Sequence, residues 1–194
     1  MSTPGFHLAM YNFGLHVAGY DAPEVQGFVR REPLNFAAAE SASGFVGRSG
    51  YDGEPGPESW GVQVFPRFID GSGFDSGPSS LSLWEDIESL MAFSYAGVHA
   101  EALKNARNWN TKNDWPPLVL WWVKAGRRPD WEQGAERLEW LHDHGPAPRA
   151  FTFKKAYGPD GQPLDIDRTR VKTLVEANAP GQSDLLARLK DIPV

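Results

Sequence analysis

Leu118-Val-Leu-Trp-Trp-Val123 is an unbroken apolar run. A run of this length and composition suits a central strand covered on both faces. It closes a larger strand–helix–strand unit. Leu81-Ser-Leu-Trp84 reads as the strand before it, residues 85 to about 109 as the helix between, and Asn110 to Pro117 as a polar turn. In that helix Ile87, Met91, Ser94, Val98, Ala102 and Trp109 fall near one stripe. Tyr95 and His99, four apart, are expected as neighbours on its flank. Gly97 lies inside the helix and marks a kink or a close approach.

The rest of the chain supplies partners for this unit. Phe6 to Gly14 reads as a first strand, with Phe6, Leu8, Met10 and Asn12 on one face and His7, Ala9, Tyr11 and Phe13 on the other. A helix with Asp21 as N-cap is expected to about Ser41, kinked or divided at Pro33, with Val25, Phe28, Val29, Phe36 and Ala37 buried and Arg30, Arg31 and Glu32 solvated. Gly44 to Tyr51 reads as a second strand. Residues 52–80 are rich in Gly, Pro and Ser but carry Val62 to Phe65 and Phe68-Ile69, so they read as an ordered insertion, a hairpin or lid. Asp130 caps a helix from Trp131 to about His142, and Ala150 to Lys154 reads as a last strand. The order from Phe6 to Val123 is β-α-β-β-α-β, a split βαβ duplication. Residues 1–156 therefore read as one α+β domain, and 157–194 as a C-terminal extension with helices over 168–177 and 183–190.

Composition narrows the functional classes. The chain has 194 residues, no Cys and a net charge of −6. The absence of Cys excludes disulfides, thiolate nucleophiles and Cys-ligated metals. The acidic balance argues against a nucleic-acid partner, which needs a basic face. The N-terminus lacks a basic segment followed by an apolar core, and no apolar run approaches the roughly 20 residues of a membrane span. A cytoplasmic protein without membrane contact is expected. Eight Trp and eleven Phe suggest flat pockets or a Trp-rich core.

Several side chains can do chemistry. His99 is a candidate base or iron ligand, or a helix-flank imidazole satisfied by a carbonyl. Tyr95 could orient it or donate to an oxyanion, or simply pack. Asn12 is a polar group on an apolar strand face, suited to a ligand hydrogen bond or to a backbone one. Arg107 could hold a carboxylate or phenolate, or form a surface ion pair. Trp84 and Trp122 could wall a pocket. Glu88 and Glu101 read as solvated. His142-Asp-His144 reads as a helix end rather than a metal cluster, and no metal site is expected. No Gly-rich phosphate loop or Gly-x-Ser-x-Gly elbow occurs.

A set of strings taken together carries a family resemblance: His7-Leu-Ala with Asn12, Leu81-Ser-Leu-Trp84, Phe93-x-Tyr95 with His99, Arg107-x-Trp109, Leu120-Trp-Trp-Val123 followed by Ala125-Gly126 and Pro129, Glu136-Arg-Leu138, and His144-Gly-Pro-x-Pro-x-Ala-Phe-Thr-Phe153. The chain resembles, from about Phe6 to Phe153, a domain-of-unknown-function family, number 3291, of the dimeric α+β barrel superfamily that includes the antibiotic-biosynthesis monooxygenases. The resemblance implies a ferredoxin-like antiparallel sheet with helices on one face, two sheets packing into a barrel across a homodimer, and a ligand cleft between sheet and helices. It does not imply a reaction.

On that footing the expected function is a small-molecule enzyme of a biosynthetic or catabolic pathway, a cofactor-independent monooxygenase-like oxidoreductase acting on an aromatic or polycyclic molecule. His99, Tyr95 and Asn12 would be catalytic; Trp84, Arg107 and Trp122 would bind substrate. The alternatives are a haem enzyme with His99 as ligand, an isomerase or cyclase, and a carrier without catalysis.

Overall fold

The computed structural model describes residues 5–193. Its elements in chain order are β1 (Phe6–Phe13), α1 (Gln26–Glu40), β2 (Phe45–Arg48), β3 (Ser79–Trp84), α2 (Ile87–Ser94), α3 (Gly97–Asn105), β4 (Leu118–Lys124), α4 (Trp131–His144), β5 (Ala156–Tyr157), β6 (Pro163–Leu164) and α5 (Arg168–Leu189). The first four strands form one antiparallel sheet in the order β2-β3-β1-β4, so the fold is mixed α+β. The centre is held by β1: Ala9 lies between Leu83 and Trp121, and Tyr11 between Leu81 and Val119. The apolar run of β4 therefore lies beside β1 at the sheet's edge, not in its centre. Its outer side is partly paired, because Leu120 and Phe151 exchange backbone hydrogen bonds of 2.8 and 2.9 Å. Leu8, Trp84 and Leu120 on one face are fully buried, as are Ala9, Tyr11 and Val119 on the other. Two buried faces, rather than a central position, explain the run's composition.

The chain divides into two compact units. The sheet unit comprises the chain up to Leu15, Val46–Asp86 and Asn113–Ile166. Here α4 packs on β1 and β4, with Trp131, Leu138 and Leu141 joining Tyr11, Val119 and Trp121 in one core. The helix starts as expected: the Asp130 side chain accepts the Gln133 N–H at 2.8 Å. Close approach to β1 requires Gly134, where a Cβ would lie 2.8 Å from the Tyr11 ring. Residues 51–78 form turns and one short 3-10 turn at Arg67–Ile69, not the expected hairpin. Aromatic stacking fixes them instead: Phe68 lies on Trp115 at 4.8 Å, and Trp115 on Phe13 at 6.0 Å. The strand expected at 150–154 is reduced to the Leu120–Phe151 pair, because Ala147 and Ala150 close a turn on each other and Thr152 bridges Lys155.

The helical unit comprises His16–Phe45, Ile87–Lys112 and the chain from Asp167 on. Asp21 is not the N-cap; a 3-10 turn at Pro23–Val25, capped by Ala22, leads into α1. This helix runs in one piece through Pro33, whose ring lies on its exposed side. Its buried stripe is Gly27, Arg31, Leu34, Ala38 and Ala39, so Arg31 is inside rather than solvated. Gly27 is small because Trp109 lies on it: a Cβ there would meet the indole at 2.5 Å. The long helix expected over 85–109 is broken between α2 and α3. Ala96 is extended and Gly97 has φ +55°, a left-handed conformation that glycine accepts without penalty. The two helices expected in the tail are one, α5, passing through Pro180 and Gly181. It packs against α1, α2 and α3.

Polar side chains bind this unit together. The Gln182 amide oxygen accepts the Val98 N–H at 2.9 Å, satisfying an orphan donor at the start of α3. Asn178 accepts the Ser43 N–H at 2.9 Å. Glu88, buried rather than solvated, accepts the Asp167 N–H at 3.1 Å. Arg31, 2% exposed, engages every N–H of its guanidinium: Nε and Nη2 donate to the Glu101 carboxylate at 3.0 and 3.2 Å, and the remaining donors reach the carbonyls of Gly27, Ile192 and Pro193. Its flat face covers Trp109 at 5.0 Å. Among the described residues no helix is long and apolar enough to cross a membrane.

Candidate functional site

The end of α2 leaves carbonyl oxygens without helical partners. One of them, Ser94 O, lies 2.8 Å from His99 Nδ1. A carbonyl only accepts, so Nδ1 carries the proton and Nε2 keeps its lone pair. The same break at Gly97 that ends α2 swings α3 back and brings His99 over the Ser94 carbonyl. The imidazole also packs on Phe93, 4.9 Å between ring centres. Burial pushes the His99 pKa below its ordinary value, and the Ser94 bond only partly opposes this. The ring is thus held neutral near pH 7, with one nitrogen fixed and Nε2 without a protein partner among the described residues. That is the state of a general base.

The other expected site residues have different surroundings. Tyr95 is 58% exposed and sits in the break rather than one helical turn from His99, so the expected side-by-side pair does not form. Arg107 is exposed on a 3-10 turn at Ala106–Asn108. Both belong with His99 to the helical unit, whereas Asn12, Trp84 and Trp122 belong to the sheet unit. The Asn12 side-chain oxygen accepts from the Ser80 N–H at 2.6 Å and lies 3.2 Å from the Ser80 hydroxyl. Trp84 is fully buried and donates to the Ser82 hydroxyl at 3.0 Å. Trp122 is half-buried and donates to the Tyr157 carbonyl at 2.7 Å.

His142 packs edge-on against Phe68, His144 stacks on Trp140 at 4.8 Å, and Asp143 pairs with Arg67. Among the described residues no three His, Asp or Glu side chains are placed to share a metal ion. Haem ligation by His99 would need room beside it. The Gln182 side chain occupies the space at Gly97 that a haem beside His99 could otherwise use.

Sequence reasoning missed a second histidine of interest. His16 is buried, with Nδ1 2.9 Å from the Asn110 side-chain oxygen and Nε2 unpartnered, and its pKa is lowered mainly by burial. Nothing in its local pattern marks it, since the groups that hold it lie about ninety residues away in sequence.

Neither the curated proteins nor the solved structures contain a match to this sequence. One family profile does match, over residues 7–166, which takes in the sheet from His7 on, α1 to α4 and the β5–β6 hairpin and stops just short of α5. With most of its length covered, the chain belongs to the family described as a domain of unknown function, DUF3291.

Proposed function

We propose that this protein is an enzyme acting on a small aromatic or polycyclic molecule, with His99 as general base. The observation that carries the reading is the 2.8 Å contact between His99 Nδ1 and the Ser94 carbonyl, which leaves an unprotonated Nε2 on a ring that burial keeps neutral. Such a base removes a proton from an acidic C–H or O–H of a substrate. In a cofactor-independent monooxygenase-like reaction the resulting anion gives electrons to molecular oxygen. A hydroperoxide forms, loses water and leaves a carbonyl, so that CH2 and O2 become C=O and H2O. His99 returns the first proton to the peroxide anion to give the hydroperoxide, whose loss of water then needs no further net proton. Tyr95 and Asn12 are not needed as partners in this form of the reading.

The strand sequence and the spatial order β2-β3-β1-β4 support a ferredoxin-like description of the sheet. The base chemistry proposed for His99 needs no residue from a second subunit, and a dimeric barrel stays compatible with it.

The test is oxygen uptake with a panel of polyhydroxylated aromatic compounds. Uptake by the native protein that falls at least a hundredfold in His99→Gln supports the base. Uptake unchanged in His99→Gln removes it, and saturable binding without turnover makes the protein a carrier. Haemin added to the protein should give only the spectrum of free haemin.

A further inference from the structure

At one end of the sheet a cleft of about 310 Å³ opens between β1, β2, β3 and the β4–α4 turn. It is lined by His7, Val46, Leu83, Trp60, Arg127 and Arg128, with Gly47 and Gly126 completing the wall. All of these belong to the sheet unit. None is among the groups invoked above for catalysis. We propose that this cleft is a binding site for a small aromatic carboxylate, with Arg127 holding the carboxylate and Trp60, Val46 and Leu83 enclosing the ring.

The cleft joins two kinds of surface. Val46, Leu83 and Trp60 are apolar; the Trp60 backbone N–H donates to the Ser49 hydroxyl at 2.9 Å, and its ring edge lies over Gly47. Against them stand a guanidinium and an imidazole that no group in the protein uses. The Arg127 side chain has no hydrogen bond or ion pair among the described residues, and neither has His7. Arg128 pairs with Glu58 at 3.0 Å, but both side chains are well exposed, so a ligand in the cleft displaces that contact at small cost. The Asp130 carboxylate, beside Gly61, is engaged by the N–H and side chain of Gln133.

The class of ligand follows from shape and charge. A guanidinium presents paired donors that match the two oxygens of a carboxylate. An apolar wall with an indole selects a flat ring over a hydrated ion. The volume is at the small end of ligand pockets, which run from about 300 to 1,000 Å³, so the body is one or two rings. The bend that presents Arg127 is built for it: Gly126 takes φ +80°, and the Arg127 N–H closes the turn on the Lys124 carbonyl at 3.0 Å.

The experiment is an amide NMR titration of the full chain with 2-naphthoate, 2-naphthamide and inorganic phosphate. Naphthoate is expected to give saturable shifts centred on His7, Gly47, Trp60 and Gly126, and the neutral amide and phosphate to bind about tenfold more weakly or not at all. Arg127→Gln, on an exposed turn where folding is not at stake, should weaken naphthoate about tenfold and leave the amide unchanged. Arg149→Gln, a surface control, should change neither. Equal binding of acid and amide, equal binding of phosphate, unchanged affinity in Arg127→Gln, or no saturable shift at millimolar concentrations would each overturn the proposal. His99→Gln should bind naphthoate as the native protein does, which separates this site from the catalytic reading.

Discussion

In the helical unit Arg31 has all its donors engaged inside the protein, whereas in the sheet unit Arg127 faces a cleft with none engaged. The residue type is the same and the consequences are opposite. A buried guanidinium needs a partner for every N–H, because an unpaired one keeps its desolvation cost. Arg31 meets that need with Glu101 and three backbone carbonyls and so joins α1, α3 and the C-terminal turn. Arg127 is solvated, carries no such cost, and remains available. His99 stands between them: one nitrogen is committed to the Ser94 carbonyl and the other is not. Saturated polar groups hold the fold, and half-used ones next to a cavity or a break are where ligands and protons are handled.

The largest test of this contrast is Arg31→Met. It strips the partner from a largely buried carboxylate and from three carbonyls, and is expected to lower stability by about 3 kcal/mol in urea unfolding. A loss below about 1 kcal/mol would make Arg31 an ordinary surface residue. Arg127→Met, measured the same way, should shift stability by no more than about 0.5 kcal/mol.

Next is Gly97→Ala, which places a side chain at φ +55° and against Gln182. It should cost about 2 kcal/mol, from backbone strain and overpacking together. In the Gln182→Ala background the overpacking part should vanish and about 1 kcal/mol of strain remain.

In the sheet unit, Gly134→Ala gains about 1 kcal/mol of helix propensity but drives a methyl into the Tyr11 ring. The net expectation is a loss of about 1 kcal/mol, smaller than at Gly97 because the backbone there is already helical. Thermal unfolding of both variants side by side would rank them.

The smallest effect is on pH dependence. Burial lowers the folded-state pKa of His16 and His99, so the unfolded chain binds more protons below the ordinary histidine value of about 6.5. Stability should be level above that value and fall as pH drops from it towards the lowered folded-state pKa values. His16→Phe should flatten part of the decline; a decline unchanged in that variant would mean that His16 is not charged on unfolding.

The sheet was far more legible than the helices. In β1 alternation alone placed every residue on its face, Leu81–Trp84 read as a strand, and Asp130 signalled α4. In the helical unit the decisive groups were read by composition and misplaced. Arg31 looked like a solvated charge because its partners outside α1 are 70 and more than 160 residues away. The α2–α3 break looked like continuous helix because Ser94 to His99 keep the apolar period on both sides of Gly97. Pro180 and Gly181 looked like a helix end, but Asn178 and Gln182 hold that turn by bonds to Ser43 and Val98. The site was half legible: His99 stood out as a residue type, while its tautomer came only from the break. The cleft was not legible, since its wall is assembled from five separate stretches of chain.

The most direct test of His99 as a poised base needs no substrate. Long-range 15N–1H NMR of imidazole-labelled protein, with the His99 signals assigned by their loss in His99→Gln, reports both tautomer and titration. The account predicts the Nδ1–H tautomer near pH 7 and a midpoint below about 6.5. An Nε2–H tautomer, or a midpoint at or above that value, would contradict it.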